Sequence, residues 1–283
     1  MSVWIIASLT FRETLRRRAL LAAIVLTLGF LALYGYGSYY AFQDLAKSDS
    51  LTGEMRTIAT GEILLAGLFG VANIGALLAI FVAAGTIATE VEEGLLHAII
   101  PRPLHRWEVV IGKWLGFALM VSLYVVVTGL ATSLIIYWLT GYIAAQLPLG
   151  LLLIALKALL LLSLAMLFST FLPALATGIV TFILYAVSNV AGMVEQLGYL
   201  IKNQTMINIG IISSLLVPSD SLWKMAASLI QPPMAPGLLS TIRQAMGPFS
   251  VANPPSAWMG LYALVYITLA MVGALLVFNR RDL

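Results

Sequence analysis

Three carboxylates open the stretch of this sequence best equipped for chemistry. Glu90, Glu92 and Glu93 precede Gly94 and the apolar run Leu95, Leu96, His97, Ala98, Ile99 and Ile100; Pro101, Arg102, Pro103, His105, Arg106 and Trp107 close it. At i and i+3, Glu90 and Glu93 can share a helix face, whereas Glu90 and Glu92 cannot. With His97 four residues after Glu93, these are the raw materials of a metal or hydrolytic site. Neither a His-Glu-x-x-His pattern nor a second ligand cluster completes one. The acids suit a helix start instead, where the backbone dipole favours negative charge, and they suit a basic partner surface. Leu95, Leu96, Ile99 and Ile100 recur at helical spacing in a segment that faces water. They must cover either the protein's own surface or a partner's groove.

A second group of polar residues stands inside apolar stretches. Lys157 is the one clear charge within a span, and a charge there is a functional candidate. Its span is expected to begin at Leu151, about two turns earlier, so the stem is expected to snorkel to the outer interface, with Glu62 at the same level as partner. Asn73, Asn189 and Glu195 are further candidates for helix contacts or a translocation path. The step Gly112–Gly116, and Gly67, Gly70 and Gly75, allow close helix packing within the chain or across a dimer.

The elements that position these residues follow from composition. The chain has 283 residues, 61% hydrophobic and 10% charged, with mean hydropathy +1.01. A soluble domain carries about 25% charged residues. The deficit implies an all-α, polytopic membrane protein, one transmembrane domain over 1–283. Stretches of ~20 apolar residues mark spans. They fall at about 19–40, 63–88, 109–137, 151–172, 174–193 and 257–278, six in all. A seventh patch, 207–217, is too short to cross and is expected to be re-entrant, interfacial or folded over the outer face. No cysteine is present, which excludes disulfides and thiolate metal sites. Nothing in the sequence suggests a nucleic-acid surface.

Orientation follows from Lys and Arg in the short loops. Nine fall on the side of the N-terminus (Arg12, Arg16, Arg17, Arg18, Arg102, Arg106, Lys113, Arg280 and Arg281), and five fall opposite (Lys47, Arg56, Lys202, Lys224 and Arg243). Both termini are therefore expected in the cytoplasm, and the protein in the cell membrane. Residues 1–18 read as an amphipathic helix on the inner lipid surface. Trp4, Ala7, Phe11 and Leu15 share one face, Thr10, Glu13 and Arg17 lie opposite, and Arg16, Arg17 and Arg18 sit at phosphate level. The outer segment, 195–256, carries seven prolines, and Ser219 and Asp220 are expected to cap a short amphipathic helix over 222–227. It suits a lid, an outer gate or a dock for an extracytoplasmic partner.

The inner loop, 89–107, resembles the permeases of ABC-2 type ABC transporters. The resemblance rests on Glu90, Glu92 and Gly94; on Arg102, Pro103 and Arg106; on Gly112 and Lys113; and on the tail Phe278-Asn279-Arg280-Arg281-Asp282-Leu283. Leu95 stands where Thr is common and His105 where Ser is common. The long segment between spans five and six is similar to the branch that includes nitrous-oxide-reductase maturation permeases. The resemblance implies a type V exporter-like fold and a homodimer with two cytoplasmic ATPase subunits. It makes the loop a coupling helix and the N-terminus an elbow helix. ATP and Mg would be bound by the ATPase, because this chain has no Gly-x4-Gly-Lys-Ser/Thr loop: Trp114 follows Gly112-Lys113. The alternative is a membrane subunit outside the ABC class, either a secondary transporter or a structural or enzyme-complex component. Several paired charges near the midplane, or broken helices in two matching halves, would favour the former, and convergent polar residues within the spans an enzyme. Neither pattern stands out in the sequence.

Overall fold

Where no water can satisfy a backbone N–H or C=O, an apolar chain has to bond to itself, and the helix does so within one segment. The computed structural model describes residues 2–15, 18–47, 53–86, 106–232, 251 and 254–280. Among the described residues there is no strand. The helices are α1 (Ser2–Leu15), α2 (Arg18–Lys47), α3 (Gly53–Ala84), α4 (Arg106–Thr140), α5 (Leu147–Ser169), α6 (Ala174–Ile201), α7 (Gln204–Leu216), α8 (Ser219–Ile230) and α9 (Trp258–Arg280). Six of these, α2 to α6 and α9, are long and apolar enough to cross a membrane.

The six are the expected ones, but several run further than hydropathy suggests. The α3 span extends over Met55–Ala84, because nothing at Arg56 or Glu62 stops the helix even though each ends the apolar stretch. Likewise α5 starts at Leu147, four residues before Leu151, with Pro148 accommodated in its first turn. The spans alternate in direction. One end of the bundle, here the basal end, carries α1, Arg106 and Arg280, and the other, the distal end, carries α7 and α8. At the centre stand α3 and α5, packed through Leu65, Leu68, Ala72, Leu160, Leu161 and Ala165. By contrast α2, α6 and α9 turn Leu33, Ile183, Val190 and Leu269 outward, as a lipid-facing helix does.

The glycine steps are used within the chain. Gly112 and Gly116 form a notch on α4 that α1 fills: a Cβ at Gly116 would stand 2.7 Å from the Ala7 carbonyl oxygen, and one at Gly112 2.8 Å from Ile6. Gly67 and Gly70 of α3 receive the rings of Tyr34 and Phe30 from α2, and Gly75 receives Val125. The expected face of the N-terminal helix is corrected in consequence. Ala7, Thr10 and Thr14 are buried against α4, whereas Trp4 is 75% exposed, with Ile5 and Leu9 beside it. Small side chains are needed where backbones approach closely, and Thr14 satisfies its hydroxyl on the Thr10 carbonyl at 2.6 Å. The large apolar residues face outward. Phe11 is half-buried, Leu15 closes α1, Arg18 opens α2, and Arg16 and Arg17 lie outside the described residues.

Gly116→Leu should dislodge α1, because no rotamer of the new side chain avoids the Ala7 carbonyl. We expect a loss of about 1–3 kcal/mol, read as a lowered thermal midpoint of the detergent-solubilised protein. Gly29→Ala, where a Cβ meets nothing within 4 Å, should leave the midpoint unchanged or raise it.

Candidate functional site

The inward face of α6 is polar along most of its length. Thr177, Thr181, Tyr185, Ser188 and Asn189 recur at steps of four, four, three and one, and Glu195 continues the stripe. Thr177 and Thr181 are fully buried and return their hydroxyls to the carbonyls of Leu172 and Thr177. From Tyr185 onward the side chains reach across to other helices. The Tyr185 hydroxyl donates to Asn73 Oδ1 of α3 at 2.6 Å, and Asn73 Nδ2 donates to the Phe69 carbonyl at 2.7 Å. Asn189 Nδ2 donates to the Tyr185 carbonyl at 2.9 Å, while its Oδ1 is buried without a hydrogen-bond partner among the described residues.

Lys157 of α5 completes this group. It is 0% exposed, and its Nζ stands 5.1 Å from the centre of the Tyr185 ring, with no hydrogen-bond partner among the described residues. The expected snorkel to the interface is therefore not made. Because α5 starts at Leu147, Lys157 lies mid-helix. Asn73, Lys157 and Tyr185 each stand eleven or twelve residues from the basal end of their helix, about 17 Å at 1.5 Å per residue. Counted from those helix ends, that is about half of a hydrocarbon layer ~30 Å thick. Glu62 is not at this level; it stands eleven residues nearer the distal end of α3 than Asn73, about 16 Å away along the helix. A charge at a helix centre costs about 2.5–3.5 kcal/mol on insertion scales, and a desolvated cation–π contact returns about 2. The Tyr185 ring does not offset the cost of Lys157.

The cluster has a roof. α7 and α8 meet at a bend of 105°, and neither is long enough to cross. α7 folds back on the end of α6 through Lys202, in the left-handed region at φ 55°, and α8 then turns inward. It is buried at Ser219, Asp220, Leu222, Trp223, Lys224, Ala226, Ala227 and Ile230. One end lies beside Ser188: the Ser219 hydroxyl donates to Ser188 Oγ at 3.0 Å, and Ser188 donates to the Val217 carbonyl at 2.9 Å. The other end packs on α5, with Ile230 over Gly150. Trp223 stacks edge-on against Phe69 at 5.2 Å, one helical turn distal of Asn73. α8 thus crosses the bundle on the distal side of Asn73, Lys157 and Tyr185. The expected capped amphipathic helix exists, but Ser219 and Asp220 make no N-cap; their side chains reach α6 and Lys224.

Charge holds the roof down. Lys224 Nζ lies 2.7 Å from Glu195 Oε2 of α6 and 2.8 Å from Asp220 Oδ2, one turn back on α8. All three side chains are at most 16% exposed. Gly192 and Gly210 face Asp220 and Glu195 so closely that a Cβ at either position would overlap the carboxylate. Glu195, a candidate for the path, is thus a fastening of α8, and Asp220 and Lys224 were missed as its partners. Tyr185 was missed too, although the four-residue recurrence of hydroxyls from Thr177 carries the signal.

At the basal end, Lys113 Nζ donates to the Thr86 carbonyl at 3.3 Å and joins the two flanks of the intervening connection. Trp114 Nε1 ties α4 to Ser163 of α5 at 2.8 Å. Glu90, Glu92, Glu93, Gly94, Leu95, Leu96, Ile99, Arg102 and Pro103 lie outside the described residues, and Arg106 opens α4.

Six apolar spans, a buried polar stripe and a helix folded into one end define a multi-pass membrane protein. Within that class the assignment is specific: residues 4–283 match the model of the ABC-2 family transporter proteins, and the chain belongs to that family. It is the membrane-spanning permease subunit of an ABC transporter. The matched description names the ABC-2 family and no branch within it. No curated protein matches the chain.

Lys224→Met should leave Asp220 and Glu195 buried without their cation and cost about 3–5 kcal/mol, seen as a lower thermal midpoint. Adding Asp220→Asn and Glu195→Gln to the same protein should restore most of the loss. Additive losses across the three substitutions would show that the charges are not coupled.

Proposed function

We propose that this permease is an exporter subunit, driven by a separate ATPase that docks at the basal end, and that the basal end is cytoplasmic. The observation that carries the reading is the family match over essentially the whole chain; the family generally works with a cytoplasmic ABC ATPase. The charge count supports the orientation, with nine Lys and Arg on the terminal side against five. The segment 89–107, held at its flanks by Lys113 and Thr86, is the coupling element. Its acids Glu90, Glu92 and Glu93 meet a basic ATPase surface, and Leu95, Leu96 and Ile99 enter the groove. MgATP binds to the ATPase, two copies of which serve two permease copies.

Closure of the ATPases moves α3 and α4 through this element. The spans then open from the basal side toward the Asn73–Tyr185 level, and α8 is the outer gate. α1 anchors each subunit to the cytoplasmic lipid surface through Trp4, Ile5 and Leu9.

A tagged permease should bring down an ATPase subunit from its native membrane. Glu90→Lys with Glu93→Lys should leave the permease folded, and its ATPase should then turn over without moving cargo or fail to associate. Normal coupling in that double variant would remove the docking role from the loop acids.

A further inference from the structure

We infer that Lys157 is the anion-receiving point of the translocation path, so that the cargo carries an anionic group such as a carboxylate, sulfate or phosphate headgroup. The inference deepens the permease reading and rests on it. Three observations carry it. Lys157 is fully buried at mid-membrane depth, and its Nζ has no hydrogen-bond acceptor among the described residues. The face of the Tyr185 ring stands 5.1 Å from Nζ and offers it a weakly negative surface. A second buried polar atom one turn along α6, Asn189 Oδ1, is also without a hydrogen-bond partner among the described residues; as an acceptor it suits a hydroxyl or N–H donor on the same cargo, beside the anion that Lys157 takes.

Described acids on the helices packed around α5 do not supply the missing counter-charge. Glu62 on α3 and Glu195 on α6 stand ten or eleven residues distal of Asn73 and Tyr185. Glu108 opens α4 at the basal end, Asp220 on α8 is engaged by Lys224, and α9 has no acid. Among the described residues no anion stands beside the ammonium. A structural ion pair would have a partner, and a snorkelling lysine would have a solvent-facing head. A site that must accept an anion in passing and then release it needs the charge in place and the partner absent. With α8 across its distal side, the cluster is closed from that direction, and the anion enters from the basal side when the spans part.

The sequence has no cysteine, so one introduced thiol can be followed in the full chain without altering other residues. Asn189→Cys in membrane vesicles is reacted with an anionic methanethiosulfonate (the sulfonatoethyl reagent) and a cationic one of similar size (the trimethylammonioethyl reagent). Each is applied with and without the co-purifying ATPase and MgATP. We expect the anionic-to-cationic rate ratio to fall about tenfold when Lys157→Met is added, and to be kept with Lys157→Arg. Lys157→Met should also hold or raise the thermal midpoint, because it removes an unpartnered buried charge.

An unchanged ratio, a cysteine that neither reagent reaches under turnover, or a Lys157→Met midpoint several degrees lower would each overturn the inference. Pull-down of the ATPase from the same vesicles separates the two readings. ATPase bound without a Lys157-dependent ratio defeats the anion site alone. A Lys157-dependent ratio without any ATPase defeats the exporter reading alone.

Discussion

A buried ammonium between two carboxylates decides where α8 lies, and α8 decides what the spans enclose. Lys224 draws Asp220 from its own helix and Glu195 from α6 into one cluster. Such a network gains little net stability over apolar packing, because each charge must first lose its water. It fixes position instead: an ammonium that needs two acceptors at 2.7 and 2.8 Å tolerates few registers of α8 against α6. Trp223 on Phe69 and Ile230 over Gly150 then follow as packing consequences. With its cation gone and both carboxylates left charged, α8 would not be expected to stay inside the bundle.

The interior that α8 covers is organised by a different rule. The hydroxyls of α6 are satisfied locally at Thr177 and Thr181, and then across helices at Tyr185 and Ser188. Local satisfaction costs the bundle nothing in rearrangement. Bonds across helices, such as Tyr185 to Asn73, must break or swing if α3 and α6 separate. The polar stripe thus grades from fixed to separable along its length. The change falls at the depth of Lys157.

Much of this was legible in the sequence, for a physical reason. A span must be apolar for about twenty residues, so Leu147–Ser169 and Trp258–Arg280 announce themselves by composition. Their ends do not, since a helix continues past its last apolar residue until something stops it, as α3 does through Glu62 and Arg56. The four-residue error at the start of α5 turned Lys157 from a buried group into an expected snorkel. Rotation about an axis was harder still. The stripe of α1 was drawn through Trp4, Ala7 and Phe11 by apolar character alone, but size divides it: Ala7 is buried against α4 with Thr10, expected on the polar side, and Thr14, while Trp4 is exposed. The partnership of Glu195 with Lys224 spans 29 residues and a chain reversal, so no spacing encodes it.

The N-terminal helix shows what this means for variation among sequences of this kind. Its two long faces meet different surroundings: one lies on the backbone of α4, and the other, with Trp4, Ile5 and Leu9, is exposed on the outside of the bundle, the side that the proposed anchoring puts in lipid. On the first face the limit is size: Ala7, Thr10 and Thr14 should tolerate other small residues, polar or not. On the second the limit is polarity: Trp4, Ile5 and Leu9 should tolerate any large apolar residue, whatever its shape. A substitution table that scores hydrophobicity alone would therefore rank positions on one half of this helix correctly and on the other half at random.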